Sequence, residues 1–376
     1  MSLISPGSTI GILGGGQLGR MLALAAAELG YRCHIFSPEA DCPASQVAAA
    51  TTVADYDDHT ALDRFAAAIH VATFEFENIP VAAIERVAAR IGLHPGAEVL
   101  RITQDRLLEK QFAQSHGAET APYAALSSDA ELAAATRSIG APSVLKTRRL
   151  GYDGKGQQII KAPAAVAGSG ALAAAMGEAW NALGRTPCVL ESFVDFTCEL
   201  SVVVARNAAG QLAAYVPVEN RHSRHILATT IAPAQIPPPL AARAEQLARD
   251  IAAALDIVGV LAVEMFVTRD GRLLVNELAP RVHNSGHWTI EACCTSQFEQ
   301  HIRAVCGLPL GAPDRHANAV MQNLIGDDIE RWPAIIADPH NKLHLYGKTE
   351  ARPGRKMGHV TRLFPLGTTP MLPAGT

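Results

Sequence analysis

No stretch of this 376-residue chain interleaves clustered Lys and Arg with aromatic residues, and its 32 basic and 36 acidic side chains leave a net charge of −4. That balance excludes a protein that holds nucleic acid by charge. No apolar segment is long enough to span a bilayer, the run around Met21 being cut by Glu28. The opening "MSLISPGSTIGIL" lacks the basic region and long apolar core of a signal peptide. The 7 cysteines form no spaced pairs, which argues for reduced thiols. Together these absences set the expectation of a cytoplasmic protein with neither nucleic-acid nor membrane partner. Adjacent Cys293 and Cys294 have no partner pair at zinc spacing and read as small apolar residues on a helix.

What is present is the composition of a globular protein, 48% hydrophobic and 18% charged, long enough for two or three domains. The first hundred residues alternate strand and helix patterns, as in a parallel sheet with crossover helices. "STIGIL" reads as a strand, "GRMLALAAAELG" as a helix closed by Gly30, "RCHIF" and "HVATFEF" as further strands. A helix is expected from about Pro80, and residues 97–116 read as helical again. The middle becomes sheet-rich: "SVLKTRR", "GQQII", "CVLESFV", "ELSVVVARN" and "GQLAAYVPVE". A helix introduced by "PPP" follows, then the hairpin "VGVLAVEMFVT"–"RDG"–"RLLVNELAP". After Gly307 the composition changes to a small mixed piece.

Gly14, Gly16 and Gly19 in "GILGGGQLGRML" satisfy G-x-G-x-x-G between a strand and a helix, where helix amides can hold a phosphate. A nicotinamide-binding fold also places an acid at the end of the second strand. Here "HIFSPE" offers Phe36, Ser37 and Pro38, with Glu39 beyond the proline. The glycine turn alone does not identify a cofactor.

"VLKTRRLGYDGKGQ" is more informative. Lys146 on a strand gives a fixed ammonium for phosphate oxygens. Gly151, Gly154 and Gly156 flank Tyr152, Asp153 and Lys155 in a loop able to fold over a triphosphate, unless it is simply a solvated hairpin. Glu264 in "LAVEMFV" and Glu277 in "LLVNELAP" fall on neighbouring strands of one hairpin among apolar residues. Two buried carboxylates facing each other suit Mg²⁺ carrying nucleotide phosphates; the alternative puts one or both on a solvent face. Glu191 and Glu199 in "ESFVDFTCELSVVV" can accept from an adenine amino group or ribose hydroxyls, or form a charged strand edge.

This order of features resembles the ATP-grasp enzymes, which join a carboxylate to a nucleophile through an acyl-phosphate. Within them, "GGGQLGRML", "FEFENIP", "GYDGKGQ", "NELAPRVHNSGHWT" and "RPGRKMGH" resemble the N5-carboxyaminoimidazole ribonucleotide synthetase family of purine biosynthesis, over essentially the whole chain. The resemblance implies an α/β fold in three parts: a pre-ATP-grasp parallel-sheet domain over 1–100, a two-lobed ATP-grasp domain over 101–305 with its glycine-rich loop at 151–157, and a small C-terminal domain over 306–376. It implies a ligase using ATP and Mg²⁺ to carboxylate 5-aminoimidazole ribonucleotide with bicarbonate through carboxyphosphate, and it suggests a homodimer.

Residue by residue, the resemblance places Arg106, Lys146 and the loop Gly151 to Gln157 on the ATP phosphates. Glu191, Ser192, Phe193 and Val194 bracket adenine, Glu199 holds ribose, and His222 reaches the nucleotide. Glu264 and Glu277 hold the metal, with Asn276 beside it. Tyr152, Asp153 and Lys155 meet both substrates, with Asp153 a candidate to orient or deprotonate the amine. Arg281 suits carboxyphosphate or bicarbonate, since a guanidinium fits a planar oxyanion. Gly16, Gln17, Leu18 and Asn284 face the ribotide. Glu75 either orients the aminoimidazole or serves as a helix-capping or surface acid. Lys348 and Arg355, in a turn that also carries Lys356, suit the 5′-phosphate. The rivals are another ATP-grasp ligase, separated by "HNSGHW" and "RPGRKMGH", a nicotinamide oxidoreductase that leaves Lys146, Glu264 and Glu277 without a task, and a non-catalytic nucleotide-binding regulator.

Overall fold

The computed structural model describes residues 3–151, 154–161 and 169–370. Its N-terminal sheet is parallel, with β1 (Thr9–Leu13), β2 (Arg32–Ser37), β3 (Ala50–Val53) and β4 (Val71–Phe74) in the order β3-β2-β1-β4. Ile10, Ile12, Leu13 and Phe74 are fully buried, as strands covered by helices on both faces must be. Those helices include α1 (Gln17–Glu28), α2 (His59–Ala67) and α3 (Val81–Ala88). The loop ends of β1 and β4 lie side by side, Leu13 pairing with Phe74, which puts the glycine turn next to Glu75.

The helical stretch expected over 97–116 consists of two helices, α4 (Ala97–Thr103) and α5 (Arg106–Ser115). Asp105 between them is extended, and its side chain accepts from the Leu107 amide at 3.1 Å. An aspartate that can take a free amide starts a new helix more readily than it continues an old one.

The short β5 (Glu119–Thr120) leads into a second sheet of β6 (Tyr123–Leu126), β7 (Ser143–Thr147), β8 (Gln157–Ile160) and β9 (Cys188–Ser192), ordered β6-β9-β7-β8. With α6 (Asp129–Ile139) and α7 (Ser169–Ala182) it encloses its own small core around Leu145, Met176, Trp180 and Leu190. Separate cores are what make this a lobe.

The third sheet has 10 strands. They are β5 with β10 (Phe196–Arg206), β11 (Leu212–Ala214), β12 (Val218–Ser223), β13 (Ile226–Ala232), β14 (Gly259–Thr268), β15 (Leu273–Ala279), β16 (Asn318–Ile325), β17 (Asn341–Leu345) and β18 (Lys356–Phe364). β14 lies between β10 and β15, α8 (Pro238–Ala254) covers one face, and the C-terminal strands join through β16 against β13. The piece after Gly307 thus extends the ATP-grasp sheet, because β13 offers it an unpaired edge. One core runs from Ile10 and Leu22 of the N-terminal unit to Phe298, Ile302 and Met321, across α10 (Gln297–Val305), which follows the four-residue α9 (Thr289–Ala292). The two cysteines expected on a helix sit just past α9, with Cys293 buried and bridged to Arg315 and Cys294 exposed. Among the described residues no helix is long and apolar enough to cross a membrane.

Candidate active site

A cleft of about 940 Å³ opens where the three sheets meet. Val144 of β7 pairs with Ile159 of β8, and both line it. Lys146, two residues on, projects from the same face. Phe266 of β14 stacks on Phe196 at 4.8 Å and adds a further apolar wall.

Lys146 Nζ donates to Glu191 Oε2 at 3.0 Å, and the nearly inaccessible Lys110 ammonium faces the other oxygen at 3.2 Å. Burial alone would raise the Glu191 pKa, but the two lysines hold it down at about 2. Burial draws Lys146 below its ordinary value despite Glu191. Two ammonium groups against one carboxylate leave one positive charge at the cleft, the sign a polyphosphate requires. Glu191 itself lies beneath the wall, tied to Lys146, and the Ser192 and Phe193 amides donate hydrogen bonds to the Pro122 and Pro142 carbonyls. Phe193 lines the cleft; half-buried Val194 does not.

Glu264 and Glu277 are direct cross-strand partners on β14 and β15. Their side chains retain 19% and 34% exposure, so both are half-buried at the cleft surface rather than fully enclosed. The register slips between Glu264 and Met265, which pairs with Val275, so Asn276 is an extra residue on β15. This bulge breaks alternation and lets adjacent Asn276 and Glu277 both line the cleft. Burial and the facing Glu277 carboxylate push Glu264 up to about 7. Arg106 Nη1 reaches Glu277 Oε2 at 3.2 Å. His283 Nδ1 accepts from the Ser285 amide, leaving its proton on Nε2, 3.3 Å from Glu264 Oε1; burial first, then Arg281, keeps this imidazole neutral.

Glu199 meets His222 Nδ1 at 2.7 Å. Burial opposes the imidazolium, but the Glu199 hydrogen bond and charge raise His222 above its usual value. Arg281 makes a two-pronged contact with Glu77, Nη2 to Oε1 at 2.7 Å and Nε to Oε2. Burial would raise the Glu77 pKa; Arg281 lowers it below the ordinary range.

The glycine turn holds a protein carboxylate. Glu75 Oε1 accepts from the Gly16 amide at 2.8 Å and Oε2 from Gly19 at 3.1 Å. A Cβ on Gly16 would stand 2.6 Å from Glu75 Oε1, and one on Gly14, whose φ is +109°, 2.4 Å from its Cγ. Burial raises Glu75 against the pull of those amides and of Arg281 and Lys348. Gln17, Leu18 and Glu75 line the cleft; Gly16 contributes its amide to Glu75.

In the glycine loop, Gly154, Lys155 and Gln157 line the cleft, and Gly156 packs on Thr147 behind it. Arg106 Nη2 reaches the Gly151 carbonyl at 3.4 Å. Tyr152 and Asp153 lie outside the described residues. Asn284 lines the cleft in a reciprocal amide pair with Asn323. Of the C-terminal cations, Lys356 lines the cleft; Lys348 donates to the Lys356 carbonyl at 2.7 Å and Arg355 to that of Glu350 at 2.9 Å.

The structure adds Lys110, Glu109, Glu77, His283 and Lys356 to the residues at or beside the cleft. Lys110 carried a signal, lying four residues after Arg106 and so on the same helix face. Glu77 did too, two residues beyond Glu75 in "FEFEN".

Three family models match in series: Ribonucleotide synthetase preATP-grasp domain over 7–104, ATP-grasp domain over 111–298, and Phosphoribosylaminoimidazole carboxylase C-terminal domain over 319–365. The N5-carboxyaminoimidazole ribonucleotide synthase of Brucella melitensis is 52% identical over 362 residues, covering 96% of this chain and 98% of the relative. An N5-carboxyaminoimidazole ribonucleotide synthetase solved as its ADP complex superposes with a TM-score of 0.91 at 43% identity, covering 96% of this chain and 94% of that one. The Aspergillus clavatus synthase, solved with ADP and 5-aminoimidazole ribonucleotide, gives 0.86 at 31% identity, with 96% and 94% covered. The chain belongs to the N5-carboxyaminoimidazole ribonucleotide synthase family of ATP-grasp ligases.

Proposed function

We propose that this enzyme uses ATP to carboxylate 5-aminoimidazole ribonucleotide with bicarbonate, giving N5-carboxyaminoimidazole ribonucleotide, ADP and phosphate. The observation that carries the reading is one cleft in which the excess cation at Lys146, the Glu264–Glu277 pair and the Arg281 guanidinium face a common space.

Bicarbonate is a poor electrophile because its charge is spread over the group that must accept a nucleophile. In the first step a bicarbonate oxygen attacks the γ-phosphorus, forming one P–O bond while the bond to ADP breaks. The carboxyphosphate formed has phosphate as its leaving group. The exocyclic amine then attacks the carboxyl carbon, directly or after carbon dioxide is released, phosphate departs, and the amine loses a proton. No side chain need form a covalent intermediate; positioning and charge neutralisation lower the barrier.

Lys146 and Arg106 meet the phosphates, and the loop from Gly151 to Gln157 covers them. Val144, Ile159 and Phe193 hold the base, with Glu191, Ser192 and Val194 shaping that wall, and Glu199 accepts from ribose with His222 fixing its carboxylate. Glu75, Gln17 and Leu18 face the ribotide with Asn284, while Gly16 holds Glu75 in place; Lys348, Arg355 and Lys356 supply cations for its phosphate. Arg281, held flat by Glu77 and with Nη1 also donating to the Val282 carbonyl at 3.1 Å, presents its remaining N–H groups to the oxyanion. Asp153, with Tyr152 and Lys155 beside it, is assigned to the amine proton from its place in the chain.

The residues fit Mg²⁺. Two facing carboxylates offer only hard oxygen acceptors, and their mutual repulsion, seen in the raised Glu264, is relieved by a divalent cation. Glu264 and Glu277 would hold it with Asn276 adjacent, and its charge would offset that of the triphosphate. The family resemblance and the sequence composition support a cytoplasmic homodimer, and light scattering on the purified chain tests the dimer.

The decisive experiment is ADP release with ATP, Mg²⁺ and labelled bicarbonate, with and without the ribotide. Stimulation by the ribotide, with label in an acid-labile product, is expected. ADP release indifferent to it would point to another acceptor, and no ATP turnover would overturn the ligase assignment.

A further inference from the structure

Strand β15 loses its outer neighbour just before the residues that matter. Its pairing with β5 consists of Leu274 with Glu119 and Val275 with Thr120, and stops there. The next residues are the bulged Asn276, then Glu277 and Leu278. A backbone N–H at such an edge, if buried, needs another acceptor. The Leu278 amide finds one in Glu109 Oε1.

Glu109 is 2% exposed, and its Oε2 has no hydrogen-bond partner among the described residues. It lies one turn after Arg106, which holds Glu277 at 3.2 Å. Helix α5 therefore grips two successive residues of β15, one by side chain and one by backbone. The helix is itself fixed at its start, where Asp105 receives Arg148 at 2.7 Å and Arg149 at 3.3 Å.

We propose that Glu109 is a positioning residue for the carboxylate pair: it stands in for the missing strand at Leu278, and so fixes the bulge that turns Asn276 and Glu277 together into the cleft. It does not line the cleft. Its contribution is to hold Glu277 opposite Glu264, so that the spacing for a divalent cation exists before the nucleotide arrives. What the amide requires is an acceptor, not a charge. Glutamine supplies one in the same place, aspartate keeps the charge but falls a methylene short, and leucine fills the volume without an acceptor.

This inference rests on the reading of Glu264 and Glu277 as the magnesium pair. The test is calorimetric binding of ADP to the full-length protein across a Mg²⁺ titration, for Glu109→Gln, Glu109→Asp, Glu109→Leu and, alongside, Glu277→Gln. Glu109→Gln is expected within about threefold of wild type in the Mg²⁺ needed for half-saturation, and the Asp and Leu variants at least about tenfold higher. ADP binding without Mg²⁺ should stay unchanged in all three. A folded Leu or Asp variant with wild-type Mg²⁺ dependence overturns the proposal, as does a Gln variant as impaired as Leu. If the Leu variant does not fold, the Asp variant decides. A Glu277→Gln variant with unaltered Mg²⁺ dependence would bring down the metal reading itself, a separate result from loss of the Glu109 role alone.

Discussion

The amide of Gly16 donates to the carboxylate of Glu75 at 2.8 Å. A glycine-rich strand-to-helix turn whose motif suggests a bound phosphate instead holds an anion supplied by the protein. The helix amides are satisfied from the end of the neighbouring parallel strand, and the same carboxylate lines the cleft. Helix capping and substrate contact, posed as alternatives for Glu75, are compatible in one side chain.

Gly16→Ala tests that arrangement. Its Cβ would lie 2.6 Å and 2.9 Å from the two Glu75 oxygens, so the carboxylate must move and α1 lose its acceptor. A stability loss of about 1–3 kcal/mol is expected in urea unfolding. The KM for the ribotide should rise about tenfold, as a displaced contact worth about 1.4 kcal/mol predicts, with ADP affinity little changed. Wild-type stability and ribotide KM together would remove Glu75 from this role.

Glu277→Gln keeps shape and removes charge opposite Glu264. Neutralisation of triphosphate charge would be lost where it develops most, at a cost of about 3 kcal/mol, on the order of a hundredfold in kcat. Steady-state ADP release measures it. Turnover within about threefold of wild type would exclude Glu277 from the metal site.

That Glu264 and Glu277 fall on neighbouring strands could be read from the hairpin, both being acids within apolar strands. The register running from the turn through Met265 and Val275, however, would set Glu264 against Asn276. Nor could the face of Asn276 be read. Alternation predicts that adjacent residues point oppositely, and only the bulge, a feature of the pairing of two strands, puts Asn276 beside Glu277. Lys110 shares a helix face with Arg106, but its partner is not legible locally, since the carboxylate it faces arrives from β9 in the other lobe. The break at Asp105 was missed because the apolar pattern continues through it and the capping bond lies in the geometry of one side chain. That the last strands extend the large sheet depends on β13 leaving an edge open, which no local pattern records.

Arg281→Lys retains charge and loses the fork. Lysine cannot reproduce the two-pronged contact with Glu77, whose oxygens lie in the plane of the guanidinium edge. The ammonium would be free to swing away from the oxyanion and Glu77 would lose half its neutralising contacts. The kcat/KM for bicarbonate should fall about tenfold or more, with the KM for ATP nearly constant. An unchanged bicarbonate dependence would assign the Arg281–Glu77 pair to domain packing.

His301 couples domain packing to acid stability. Its Nε2 meets Thr73 Oγ1 of β4 at 2.7 Å, and its Nδ1 accepts from the Val260 amide of β14 at 3.2 Å. An imidazole accepting a backbone N–H at one nitrogen and donating at the other must be neutral. Burial, with His94 nearby, pulls it down to about 3. The unfolded chain takes up this proton below pH about 6.5, whereas the folded one does not until near 3. Stability from this group is thus complete above 6.5 and lost as pH falls through that window, at about 1.4 kcal/mol per pH unit. Raised carboxyls such as Glu264 act in the opposite direction, but they are present in both wild type and variant and cancel in the comparison. His301→Gln, which keeps a donor for Thr73, should start less stable at pH 7.5. Between pH 7.5 and 5.5 it should then lose about 1.4 kcal/mol less than wild type in urea unfolding. Parallel pH profiles would mean that His301 is not held neutral between the two sheets.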